Sequence, residues 1–161
     1  MQVDLYEHAL QTASRCLEAA CDEEVVVAAL LHDIGELLTP PNHGEIAAAL
    51  LRPYVSPHVS WMLAHHEVFQ MKYYHFSDRE RRQVYKADAA SRYAVMGVTV
   101  PQEVDPFEFT ADFCERFDQA SFDPNYSSSD LTRFEPMVRR VFERQPFWHT
   151  PDHPKRGAVT G

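Results

Sequence analysis

The sequence predicts an all-α fold, a bundle of about seven helices packed around a polar centre. Three observations carry that expectation. Apolar residues recur at the three- and four-residue spacing of helices in most segments. Asp, Asn or Ser, followed shortly by Pro or Glu, opens most of those segments. No stretch alternates apolar and polar residues convincingly enough to read as a strand.

Helix one runs from about Val3 to Ala20, with Leu5, Ala9, Ala13, Cys16 and Ala20 on one stripe. Asp22 is placed to cap helix two, and Glu23 and Glu24 suit its first turn. The run Val25-Val26-Val27-Ala28-Ala29-Leu30-Leu31 is apolar all round, which predicts the buried central helix. Gly35 marks a break near its end, and Thr39-Pro40-Pro41 forbids continuation. Asn42 and Glu45 form a capping-box pattern that opens helix three, about His43 to Leu51. Ser56-Pro57 opens helix four, which runs to about His66. Ser77 with Glu80 opens helix five, to about Val95, and Met96 to Glu103 reads as a loop. Asp105-Pro106 with Glu108 opens helix six, to about Ala120, and helix seven covers about Phe134 to Glu143. The elements fit one domain over 1–145, with 146–161 an irregular tail rich in proline and polar residues.

Composition narrows the partners. A formal net charge of −9 with scattered Lys and Arg disfavours nucleic acid and anionic membrane surfaces. No apolar run approaches the ~20 residues of a membrane span. The first residues carry neither a basic region nor an apolar stretch, so the expected compartment is the cytoplasm. Cys16, Cys21 and Cys114 are odd in number and lack CxxC spacing, which reads as reduced, buried thiols.

The chemistry concentrates in Leu31-His32-Asp33-Ile34-Gly35. A His and an Asp at the end of a wholly apolar helix cost desolvation energy unless something pairs with them. A metal ion does so, and at a helix end the two side chains can converge although they are about 100° apart in mid-helix. His8 lies beside the apolar stripe of helix one, His43 starts helix three, and His65 and His66 end helix four. Imidazoles mixed with carboxylates suit iron, manganese or zinc.

The ordered set His8, His32-Asp33, His43, His65-His66 and a late Asp resembles the HD-domain superfamily, over about residues 4 to 143. It looks closest to the mixed-valent diiron oxygenase branch, which includes myo-inositol oxygenase and phosphonate-cleaving dioxygenases. The segments Glu7 to Ala13, Leu30 to Gly35, His43 to Ala47 and Arg116-Phe117-Asp118-Gln119 are similar to that branch's motifs. The resemblance implies an HD-domain bundle holding two iron ions, Fe(II) and Fe(III), bridged by Asp33. His8, His32 and Asp118 would complete one ion's shell, and His43 and His66 would serve the other. It implies oxidative cleavage of a small hydroxylated substrate by dioxygen.

A second branch, the HD phosphohydrolases, stays open. There the late acid is Asp88, within Lys86-Ala87-Asp88-Ala89-Ala90, and Mn, Mg, Zn or Fe directs a bound water at a nucleotide or other phosphoester. His65-His66-Glu67 is similar to a motif of cyclic-dinucleotide phosphodiesterases in which both histidines bind metal. The oxygenase resemblance prefers His66, and the face shared by Phe107, Ala111, Cys114 and Asp118 prefers Asp118. Glu36 stands where the oxygenase branch has a substrate-touching His or Lys, so it is a candidate catalytic and substrate-binding residue for a cationic or hydroxylated substrate. Lys72 is the nearest basic candidate for an anionic one.

Overall fold

The computed structural model describes residues 2–69 and 104–146. Helix five, the Met96 to Glu103 loop, Lys72, Asp88 and the tail beyond Pro146 lie outside the described residues. Among those described there are six α-helices and no strand. They are α1 (Leu5–Glu18), α2 (Glu23–Leu31), α3 (His43–Leu51), α4 (Pro57–His65), α5 (Pro106–Phe113) and α6 (Leu131–Phe142). A 3-10 turn, Pro40–Asn42, leads into α3, and another, His66–Phe69, extends α4.

The all-round apolar segment is the central helix, as its composition predicts. Val26, Val27, Ala28 and Ala29 of α2 are at most 1 % exposed. α2 packs against α1 and α6 and touches α3 and α4. Ala47, Ala48 and Leu51 of α3 face Val59, Met62 and Leu63 within the same core. Full burial of each larger side chain contributes roughly 1.5–3 kcal/mol.

Helix ends show where local signals decide and where tertiary contacts do. Asp4 caps α1 by accepting from the Glu7 amide at 2.8 Å, and Asp105 caps α5 by accepting from the Phe107 amide at 3.0 Å. Asp22 and Ser56 occupy N-cap positions but make no side-chain cap bond. The Asn42–Glu45 capping box does not form. The Asn42 side-chain oxygen accepts from the Thr39 hydroxyl instead, and the Gly44 amide donates to Glu67 Oε1 at 2.6 Å. A carboxylate from the end of α4 thus satisfies the first turn of α3, and its charge also suits that positive helix end. The last helix begins at Leu131 rather than Phe134, because Asp130 accepts from both the amide and the hydroxyl of Thr132. The predicted single helix to Ala120 instead passes from α5 into one π-helical turn, Cys114–Asp118.

Two glycines are required by proximity. A Cβ on Gly35 would lie 2.8 Å from the His43 carbonyl oxygen and 2.9 Å from Ile46 Cβ. A Cβ on Gly44 would lie 2.4 Å from the Leu63 carbonyl oxygen. Backbone cannot yield as a flexible side chain can, so Gly44→Ala must push α3 away from α4. The expected cost is about 3 kcal/mol, at the upper end for overpacking, measured as a loss of midpoint in chemical denaturation.

Candidate metal centre

Six side chains from five separate places converge at the ends of these helices. His8 comes from the first turn of α1. His32 caps the end of α2, and Asp33 follows it in the turn. His43 ends the 3-10 turn and begins α3. His66 caps the end of α4, and Asp118 is the last residue of the π turn.

Each imidazole is held by the same device. Nδ1 of His8 donates to the Ser121 carbonyl at 2.9 Å, His32 to Ala29 at 2.7 Å, His43 to Pro40 at 2.9 Å and His66 to Leu63 at 2.8 Å. Three of the four acceptors are the carbonyl three residues earlier. That follows from the position of His32, His43 and His66 as C-cap residues, since the carbonyls of a final turn have no partner within the helix. A ring that donates from Nδ1 in its neutral form presents a bare lone pair at Nε2.

The four Nε2 atoms point at one another and at two carboxylates. His8 and His32 Nε2 are 3.1 Å apart, and those of His43 and His66 are 3.2 Å apart. Asp33 lies between the two pairs. Its Oδ2 is 3.4 Å from His8 and 3.3 Å from His32, and its Oδ1 is 3.0 Å from His43 and 3.2 Å from His66. Asp118 Oδ1 is 3.2 Å from His8 and 3.5 Å from His32. Asp118 Oδ2 is buried without a hydrogen-bond partner. His8, His32, His66 and Asp118 are at most 2 % exposed.

Lone pairs and carboxylate oxygens packed this closely repel unless positive charge sits among them. Protons or metal ions can supply it. Three overlapping triads can each hold an ion: His8–His32–Asp33, His32–His66–Asp118 and Asp33–His43–His66, with ligand atoms within 4.8 Å of one another. The unpartnered Oδ2 of Asp118 and the mixed nitrogen–oxygen donor set both fit a divalent transition metal.

Without metal the centre holds protons. Burial pushes the His8 imidazole down, but Asp118 and Asp33 more than offset it and raise it to about 9. His43 follows the same course to about 9, with burial opposed by Asp33 and the Pro40 carbonyl. Burial likewise opposes protonation of His32, yet Asp33 and Asp118 raise it well above its ordinary value. Asp33 and Asp118 are both lowered despite burial, Asp33 through His32, His43 and His66 and Asp118 through His32 and His8.

The sign of the stability effect follows. The folded-state values of His8 and His43 are raised, so their contribution is full below their unfolded value of about 6.5 and is lost as pH rises through about 9. Metal-free protein should therefore lose several degrees of melting temperature between about pH 7 and about pH 10. Metal-loaded protein should hold its melting temperature over that window, because metal replaces the protons. Thermal melts with and without chelator check this.

The other sequence candidates fall as follows. His65 stacks on Trp61 at 4.2 Å and donates to the Trp61 carbonyl, and it belongs to none of the triads. Glu36 Oε2 lies 2.7 Å from His43 Nδ1, on the side of the ring away from the cluster. Sequence reasoning gave no positioning role to Glu67, whose Oε1 lies 3.5 Å from the same Nδ1, and none to Phe122, which stacks on His8 at 4.2 Å. A Glu directly after His66 is the signal for the first; for the second there is only its spacing four residues beyond Asp118.

No helix among the described residues is long and apolar enough to cross a membrane. No curated protein matches the chain. The HD domain family model matches residues 5–93, a span that includes His8, Asp33, His66 and Asp88 and stops before Asp118. With that match over more than half of its 161 residues and a His/Asp cluster able to hold metal, the chain belongs to the HD domain family, whose members are usually metal-dependent enzymes.

Proposed function

We propose that the protein is a non-haem diiron oxygenase that cleaves a small hydroxylated substrate with dioxygen. The observation that carries the reading is Asp33, whose two oxygens each face a different pair of imidazole Nε2 atoms. One pair, His8 and His32, is joined by Asp118; the other is His43 and His66. That is the donor arrangement of two ions sharing one carboxylate. Asp118 lies in the Arg116-Phe117-Asp118 stretch that resembles the oxygenase branch, which favours iron and oxygen over the phosphohydrolase alternative.

When bound, the iron pair supplies the oxidising power for hydrogen abstraction beside a hydroxyl group. The chain supplies geometry and exclusion of water. Buried His32, His66 and Asp118 close the inner side of the centre. A cleft of about 540 Å³ beside His8, bounded by Asp4, Leu5 and Phe122, has room for a small substrate on the outer side. In this reading Glu36 is a positioning residue rather than a substrate contact. Its carboxylate lies 2.7 Å from His43 Nδ1, whose proton goes to the Pro40 carbonyl, so its negative charge steadies the ring and strengthens Nε2 as a donor. Glu36→Gln is expected to weaken the His43-side ion by about 10- to 100-fold, read as metal stoichiometry during chelator titration.

The test of function is metal content with redox state. Protein loaded with ferrous iron under air should bind two irons per chain and give the EPR signal of a coupled Fe(II)Fe(III) pair. A single Mg or Mn ion per chain, or phosphate release from a nucleotide panel, would sink the oxygenase reading in favour of the phosphohydrolase.

A further inference from the structure

Away from the metal centre, α1 ends in a turn that sets two thiols side by side. The Cys21 amide donates to the Cys16 carbonyl at 3.0 Å and the Ala20 amide to Leu17 at 3.1 Å. These are the two bonds of a Schellman motif, which commonly brings the residue at its end into side-chain contact with the one five positions earlier. Here both positions are cysteine. The position between them that usually holds glycine is Ala20, at φ 55°, a left-handed conformation that is unfavourable for an L-residue. The amide-to-carbonyl bond limits the separation of the two Cα atoms to at most about 7 Å, close to the upper bound for a disulfide.

The two thiols differ in access. Cys16 is fully buried, whereas Cys21 is half-buried and lines a groove of about 310 Å³ whose walls include Asp112, Arg116 and Phe117. The hydrogen bond from Cys16 lowers the Cys21 thiol to about 7, against the opposing effect of burial, with help from Arg116. The same pairing and burial push Cys16 up. Cys21 is therefore the thiolate that solvent can reach, with a second thiol behind it.

We propose that Cys16 and Cys21 form a peroxide-oxidisable dithiol, with Cys21 as the attacking sulfur and Cys16 as the resolving one. The Cys21 thiolate attacks one oxygen of a hydroperoxide and the O–O bond breaks. With hydrogen peroxide, the departing hydroxide takes a proton and leaves as water, and Cys21 becomes a sulfenic acid. Cys16 then attacks that sulfur and loses its proton, the S–O bond breaks and a second water leaves. The two thiols are oxidised by two electrons to one disulfide, and the peroxide is reduced to two waters.

The test treats the full chain, native and reduced, with hydrogen peroxide, then unfolds it and alkylates what remains. Trypsin releases one peptide that begins at Cys16 and holds both cysteines. That peptide should be lighter by two hydrogens and unalkylated. Cys114, buried and donating to the His66 carbonyl at 3.6 Å, should stay alkylatable. Cys16→Ser should trap Cys21 as a sulfenic acid that dimedone labels, and Cys21→Ser should leave Cys16 reduced. Before any oxidant, Cys21 should react with iodoacetamide at neutral pH at least about tenfold faster than Cys114. The proposal is overturned if Cys16 and Cys21 remain alkylatable after peroxide, or if Cys114 is oxidised as fast as they are.

Discussion

Replacing Asp33 by Asn should empty both halves of the metal centre at once. The substitution keeps the size of the side chain, so the change is one of charge and donor chemistry. Oδ1 faces His43 and His66, and Oδ2 faces His8 and His32, at 3.0–3.4 Å. In Asn one of those oxygens becomes an amino group that cannot ligate a cation, and the other loses its anionic charge. Neither ion keeps the shared ligand. Losing an outer-shell partner of a metal ligand typically costs about 10- to 100-fold in affinity, so losing a shared ligand should exceed that for both ions. On the diiron reading, metal analysis after desalting should fall from two equivalents to near zero, and iron-dependent activity should vanish with it. Circular dichroism in chelator should show the helices intact, since α2 is held by its apolar faces rather than by Asp33. A variant that still carries one full equivalent would show that Asp33 serves a single ion.

The apolar pattern was a reliable guide because helix burial is a short-range property. The run Val25 to Leu31 is apolar on every side and lies at the centre. Cap signals held where the partner amide lies two residues away, as at Asp105. They failed at Asn42, where Glu67 reaches the Gly44 amide from 23 residues away and displaces the local cap. Helix seven was read to start three residues late because the Asp130–Thr132 cap lies before its apolar stripe. In the site, the choice between His65 and His66 could not be made from adjacency. It turns on which residue is the C-cap of α4 and so finds a carbonyl three residues back, and a helix boundary is not legible to one residue in sequence. Glu36 looked free to meet substrate because nothing in the sequence shows that the turn after Asp33 folds back onto the start of α3. The close approach of Gly35 to His43 is what brings it there.

Asp118→Asn should remove one ion and leave the other. Asp118 Oδ1 lies nearest the His8–His32 pair, with His66 farther off in the same triad, while its Oδ2 is buried with no hydrogen-bond partner. An orphaned carboxylate oxygen in the interior is unfavourable by itself and becomes favourable as a metal ligand. The π turn that carries it matters to the geometry. A residue ending a wider turn is displaced from where a regular helix would put it, and such turns recur at functional sites. His43, His66 and Asp33 keep their mutual distances without Asp118, so the second ion retains its nearest donors. On the diiron reading, metal content should therefore fall from two equivalents to one, the mixed-valent EPR signal should disappear, and oxygen-dependent activity should drop below detection. The metal-free variant should also melt differently with pH. With Asp118 neutralised, His8 loses one of the two carboxylates that raise it, so part of the stability lost between about pH 7 and about pH 10 is already absent at neutral pH. Asp88→Asn is the paired control. In the oxygenase reading it leaves both irons in place. If Asp88→Asn strips metal while Asp118→Asn does not, the late ligand is the acid inside the HD match, and the phosphohydrolase reading replaces the oxygenase one.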